Sequence, residues 1–160
     1  MSNIGNAPGA VIRGMWDRLS PMPAGKQIFS AMFGRMVPYS GSVSPLVLEL
    51  APGRARVAMR DRKAVRNHLN SVHAIALMNL AEMATGLAFA YAMPEGTRSI
   101  ITSLSIDYLK KARGLLISEC DFQLPDFREK GEHLVEVLIR DQEGDVVARA
   151  EAKWLVGPKS

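Results

Sequence analysis

Between Ala74 and Met93 the chain runs for twenty residues with one formal charge, Glu82, and seven of the twenty are alanine. A helix this apolar must be buried on nearly all sides, so the rest of the fold has to wrap around it. The lone carboxylate in its middle loses its hydration; it must find partners or rise in pKa and go neutral. Asn67 and His73 lie just before the helix, which brings an amide, an imidazole and a carboxylate into one short segment. Such a grouping is either a structural hydrogen-bond network or an active site.

The run is long enough to cross a bilayer. However, Asn79, Glu82 and Thr85 interrupt it, and an acidic residue near a helix centre costs about 2.5–3.5 kcal/mol on insertion. Strand-like segments flank it on both sides. It therefore reads as a core helix, and no membrane partner is expected. The first 25 residues contain Pro8, Asp17, Pro21 and Pro23 and do not read as a secretory signal. With 160 residues, 48% apolar and 22% charged, the chain is expected to form a single domain over 1–160. One cysteine, Cys120, excludes an intrachain disulfide and fits a reducing, cytoplasmic setting; within ISECDFQL it reads as a buried, inert thiol. The histidines His68, His73 and His133 are scattered and have no zinc spacing. Neither a Gly-rich phosphate loop nor a serine nucleophile elbow is present. No metal and no resident cofactor are expected.

The net charge of +4 is concentrated. Six of the thirteen residues from Arg54 to Arg66 are basic (Arg54, Arg56, Arg60, Arg62, Lys63, Arg66), and Lys110, Lys111 and Arg113 form a second cluster. Clusters of this kind attract anionic partners such as phosphorylated small molecules or nucleic acid; a solvated strand edge is the alternative. Neither cluster has interleaved aromatics, which disfavours stacking on single strands, and no nucleic-acid partner is expected.

The hydrophobic period orders the elements. Residues 9–19 form a short helical pattern stopped by Ser20-Pro21. A second follows Pro23, with Ile28, Phe29, Met32, Phe33 and Met36 at helical spacing, and ends at Pro38. The period then becomes two. Val43–Leu50 is strand-like, Pro52-Gly53 is a turn, and in Arg54–Arg60 the residues Ala55, Val57 and Met59 oppose Arg54, Arg56 and Arg60. After the apolar helix come strands at Ser99–Leu109, Leu115–Leu124, Leu134–Arg140 and Val146–Val156. The first presents Ile100, Thr102, Leu104, Ile106 and Tyr108 on one face. In the last, Ala148, Ala150 and Ala152 form a face small enough for a helix to approach closely. Strands in an almost unbroken run after one buried helix indicate an antiparallel sheet of the α+β class curled around that helix, the hotdog architecture.

The polar residues carry a further likeness. Asn67, His73 six residues later and Glu82 nine residues after that resemble, in spacing, the Asn, His-Gly-Gly and Asp motif of the PaaI-like hotdog acyl-CoA thioesterases. The segment Ile106-Asp107-Tyr108-Leu109-Lys110-Lys111-Ala112-Arg113-Gly114 resembles that family's strand and turn, and Glu132–Arg140 with Asp145–Val156 its closing hairpin. The resemblance covers residues 43–156 as the hotdog core, with 1–40 as a helical extension. Here Ala74-Ile75 replaces the double glycine and Glu82 replaces the aspartate.

The resemblance implies a thioesterase. Glu82 would act as general base or nucleophile, His73 and Asn67 would complete the site, and an amide near Ala74 would polarise the thioester carbonyl. Asn79, three residues before Glu82, is placed to hold it. Lys110, Lys111, Arg113 and the arginines of 54–66 are candidates for the coenzyme A phosphates. The substrate would be an acyl-CoA or another acyl thioester, with coenzyme A entering only as part of it. A homodimer or homotetramer with the site at the subunit interface is implied as well. The residues alone leave other readings open: Asn67 as a turn former, His73 as a helix-start residue, Glu82 at a dimer seam. An acyl-CoA-binding protein without turnover is the alternative function, and a nucleic-acid-binding basic surface a weaker one.

Overall fold

The structure is a computed structural model that describes residues 8–159, so residues 1–7 of the expected helical extension, and Ser160, lie outside it. Helices come first: α1 (Pro8–Leu19), α2 (Gly25–Met36) and the single turn α3 (Pro38–Gly41). Pro38 stands at the first turn of α3, where its fixed φ suits a helix start, so it ends α2 and opens α3 in one step. Strands β1 (Leu46–Ala51) and β2 (Arg54–Arg60) precede α4 (Ala74–Ala92). The chain closes with β3 (Thr97–Tyr108), β4 (Leu115–Asp121), β5 (Gly131–Arg140) and β6 (Val146–Pro158).

The strands form one antiparallel sheet in the order β1-β2-β4-β5-β6-β3. Helix α4 touches all six strands, which is the hotdog arrangement expected from the period changes. Only a curled sheet brings both edge strands to one helix. The inner face follows the alternation: Ala55, Val57 and Met59 on β2, Val135, Val137 and Ile139 on β5, and Ala148, Ala150 and Ala152 on β6 are all buried. Against them α4 buries Leu80, Ala81, Met83, Ala84, Leu87, Ala88 and Phe89. This helix, the one among the described residues long and apolar enough to cross a membrane, is therefore the core helix.

One expectation about faces is corrected, and one stripe is only partly covered. In β3 the pairing with β6 shifts between Ile101 and Ser103, a bulge at Thr102. The extra residue flips the alternation. Ile101, Leu104 and Ile106 therefore pack against the core, while Ile100 turns outward. In α2 only two of the five apolar stripe residues are buried. Phe29 and Phe33 enter the core, Phe29 edge-on to Trp16 with ring centroids 5.0 Å apart, whereas Ile28, Met32 and Met36 stay exposed.

The two edges of the sheet differ. On β1 a bulge lies between Val47 and Glu49. There the Val47 N–H donates to Ser30 Oγ at 2.8 Å, and Lys26 Nζ donates to the Leu48 carbonyl at 2.6 Å. Both side chains come from α2, which caps that edge. At the opposite edge β3, twelve residues long, has a strand partner on one side only.

Candidate functional site

The chain enters α4 through a tight loop that Asn67 organises. Its Oδ1 accepts from the Leu69 N–H at 2.9 Å, the Ser71 N–H at 3.2 Å and Ser71 Oγ at 3.2 Å. These bonds fix a reversal in which Asn70 takes φ +54°. His73 is the N-cap. Its backbone is extended (φ −64°, ψ 140°) and Nδ1 accepts from the Ile75 N–H at 3.1 Å, so the ring does the work a serine or aspartate usually does. The Leu77 N–H returns to the His73 carbonyl. The amides of Ala74 and Ala76 have no acceptor among the described residues, as helix geometry leaves them.

Two hollows flank this helix start. One, of about 330 Å³, is lined by Asn67, Ala74, Leu77, Tyr108, Lys110 and Lys111 among others. The other, of about 250 Å³, includes Tyr39, Arg66, His73, Ile75 and Asn79. The N-terminus of α4 thus divides the candidate residues between its two sides. Tyr108 crosses the first hollow and donates to the Ala74 carbonyl at 2.9 Å; burial pushes its phenol pKa up.

The basic residues differ in what they hold. Lys110 Nζ lies 2.7 Å from Asp141 Oδ2 and 2.7 Å from Asp145 Oδ2, tying the end of β3 to the β5–β6 hairpin. Those two bonds raise its pKa, and Lys110 in turn holds the Asp141 carboxyl below its usual range. Arg113 Nε donates to the Asn70 carbonyl at 3.0 Å. Lys111 is exposed in the first hollow and has no hydrogen-bond or ion-pair partner among the described residues. In the other basic cluster most members are likewise engaged. Arg54 pairs with Glu49 at 3.1 Å, Arg66 with Asp61 at 2.6 Å, and Arg62 binds the Ser42 carbonyl at 2.7 Å. Arg54 and Arg56 line a separate hollow with Glu119, Asp121 and Glu136, away from α4.

Glu82 stands two turns into α4. Its carboxylate has no hydrogen-bond or ion-pair partner among the described residues, and desolvation pushes its pKa up. The expected contact with Asn79 does not form: Asn79 is buried and its Nδ2 donates to the Tyr39 carbonyl at 3.3 Å, holding α3 against α4. On the C-terminal side of Glu82 lies Gly86, and behind Gly86 the ring of Trp154. Trp154 Nε1 donates to Thr85 Oγ1 at 2.9 Å, and that hydroxyl donates to the Glu82 carbonyl at 2.9 Å. Glu82 and Ala74 are eight residues apart on one helix, about 12 Å along its axis at 1.5 Å per residue. No single carbonyl group reaches both within one chain.

The structure therefore gathers Asn67, Ala74, Lys110 and Lys111 in one hollow, His73 and Asn79 in another, and leaves Glu82 apart from both. Tyr108 and Trp154 were not among the residues singled out from sequence. A signal for Trp154 exists: it continues the inner face of Ala148, Ala150 and Ala152, a bulky ring where three small residues stop.

Residues 25–156 match a family described as Domain of unknown function (DUF4442), so the matched region takes in α2 and α3 as well as the sheet. A structural-genomics crystal structure, APC5556, is 35% identical, covers 93% of this chain and 99% of its own, and has a TM-score of 0.81. The probable thioesterase PA5026 from Pseudomonas aeruginosa is 21% identical over 86% of this chain and 97% of its own, with a TM-score of 0.75. A mutant of the phenylacetic acid degradation protein PaaI from Thermus thermophilus is 22% identical over 74% of this chain and 97% of its own, with a TM-score of 0.63. At that identity, the last two share the fold. Among curated proteins no sequence match is found.

Proposed function

This chain belongs to the DUF4442 family and has the hotdog fold, and from that premise we propose that it hydrolyses acyl thioesters, acyl-CoA foremost, at a site built by two copies of itself. The observation that carries the reading is the Glu82 carboxylate, desolvated and unpaired in the middle of a buried helix. A group held this way is a stronger base than a solvated glutamate, and carboxylates so placed cluster at functional sites. The resemblance of the Asn67, His73 and Glu82 spacing to PaaI-like thioesterases, and the thioesterase named among the structural relatives, support the same chemistry.

In this reading a water beside Glu82 gives up a proton to the carboxylate and attacks the thioester carbonyl. The oxyanion is stabilised by the Ala74 amide of the partner copy, at the positive end of the helix macrodipole. Collapse breaks the C–S bond, and the thiolate takes back the proton that Glu82 holds. Glu82 as direct nucleophile uses the same geometry, with water then hydrolysing the acyl-enzyme anhydride. The separation of about 12 Å along one helix is what requires the second copy, and the open edge of β3 offers the surface for it. His73 and Asn67 shape the helix start, and Lys111 meets the phosphates of coenzyme A.

A second reading, acyl-CoA binding without turnover, is favoured by one observation. Asn67 Oδ1 and His73 Nδ1 are both occupied by backbone amides. An acyl-CoA panel followed with a thiol-detecting dye separates the two. Turnover by wild type that falls by about 10²–10⁴-fold in Glu82→Gln supports the thioesterase. Saturable binding with no thiol release, in both proteins, supports the binding role.

A further inference from the structure

We propose that this chain takes thioesters borne on an acidic carrier protein as well as on coenzyme A, and that the surface around the first hollow is where such a protein docks. The inference rests on the thioesterase reading of Glu82. Two segments build the surface, the loop 67–73 and the turn after β3. The Val72 N–H donates to the Ala112 carbonyl at 2.9 Å, and Arg113 Nε donates to the Asn70 carbonyl at 3.0 Å, so the two form one face. Its charge is of one sign. No aspartate or glutamate occurs from residue 62 to 81 or from 108 to 118, whereas Arg62, Lys63, Arg66, Lys110, Lys111 and Arg113 do. The carboxylates that reach in from elsewhere are already paired: Asp61 with Arg66, Asp141 and Asp145 with Lys110. Lys63, Lys111 and Arg113 are exposed and have no ion-pair partner among the described residues.

The phosphates of coenzyme A account for such cations. They do not account for the apolar side chains set among them. Leu69 is 52% exposed and Leu109, which lines the hollow beside Lys111, is 59% exposed. Leu69 stands on a loop that three bonds to Asn67 Oδ1 hold in one shape. An apolar side chain presented by a loop already fixed binds without the ordering cost that a mobile loop would add. Unpaired cations around fixed apolar side chains complement a protein face that mixes carboxylates with apolar residues. The phosphate surface of a nucleic acid would match the charge alone. From such a seat, a thioester on a flexible arm enters the same hollow that coenzyme A would use, and the hydrolysis itself is unchanged.

The test offers the full-length protein one acyl group on two carriers, octanoyl-CoA and an octanoyl-loaded acyl carrier protein. Thiol release is followed for both, and binding of the loaded carrier protein is titrated separately. Wild type should hydrolyse both. Leu69 is outside the lining of the hollow, so its variants leave the coenzyme A route intact. Leu69→Ser should lower kcat/KM for the carrier protein by about tenfold, through KM, and Leu69→Glu, which adds repulsion, by more. Turnover of octanoyl-CoA should stay within about twofold in both variants, which also shows that they fold. Carrier turnover unmoved in the Leu69 variants would overturn the docking surface and leave the thioesterase standing. So would hydrolysis of octanoyl-CoA by wild type that neither binds nor hydrolyses the loaded carrier. Carrier binding that is equal in wild type and Leu69→Glu, and that duplex DNA displaces, would make this a general polyanion face and overturn it too. No thiol release from either substrate, with carrier binding still weakened in Leu69→Glu, would overturn the thioesterase and support the surface; neither release nor binding would overturn both.

Discussion

A carboxylate that sheds its water without gaining a partner is disfavoured as an anion in the folded state relative to the unfolded one. For Glu82 this gives a signed expectation. Its folded pKa lies above the unfolded value, near 4.3, so the native state holds the proton more tightly. No penalty exists below the unfolded pKa. It grows as pH rises from there to the folded pKa and is constant above it. Glu82→Gln should therefore raise Tm at pH 7 and lose that advantage at pH 4. Thermal unfolding across that range measures it, and equal Tm differences at both ends would mean the carboxylate is not desolvated. The same shift makes kcat/KM climb with pH through the raised pKa if Glu82 is the base. The isolation of Glu82 could be read from the chain because its flanking residues carry no charge. The partners of Asn79 and Lys110 could not. Tyr39 is 40 residues away from the first and Asp141 31 residues away from the second, and only the fold brings them together.

Among the elements, strands with clean alternation and the uniformly apolar helix were legible, because burial on one face or on all faces imposes its period directly on the chain. What periodicity cannot show is a residue that drops out of register. The bulge at Thr102 reverses β3 with no change in composition. Nor does it show that Ile28, Met32 and Met36 of the α2 stripe lack cover. The turn after β3 gives a test of which cations serve a ligand. Lys111→Met should raise KM for acyl-CoA with little change in kcat, an effect that shrinks as salt is added. Lys110→Met should leave KM nearly unchanged and lower Tm, because Asp141 loses its cation. Asp141 is held below its usual pKa, so the stability that the pair contributes is present above the unfolded carboxyl pKa and fades as pH falls through the folded one. A KM effect confined to Lys110→Met would reverse these assignments.

On the scale of the whole molecule, the separation of Glu82 from Ala74 means that, if both serve one thioester, two copies must build the site. Ala74 is the first residue of α4, and His73 before it is already extended. Proline fits such a position and removes only the N–H. Ala74→Pro should fold normally yet lose most thioesterase activity, as Glu82→Gln does. Mixed and re-equilibrated, the two inactive variants should recover about one quarter of wild-type activity, since half the dimers are hybrids and half of their sites are intact. No recovery would place both groups in one copy, against the helix geometry.

The unequal edges of the sheet limit how far such association can run. A sheet that is bare on both sides is a repeating unit, and each addition exposes a fresh end for the next; that is how fibres elongate. Here Ser30 and Lys26 already bond one amide and one carbonyl of the bulged β1 edge. The β1 edge is thus blunted, while β3 has a strand partner on one side only. If two copies join through β3, only the blunted β1 edges remain, and higher concentration should then fill pairs rather than lengthen them.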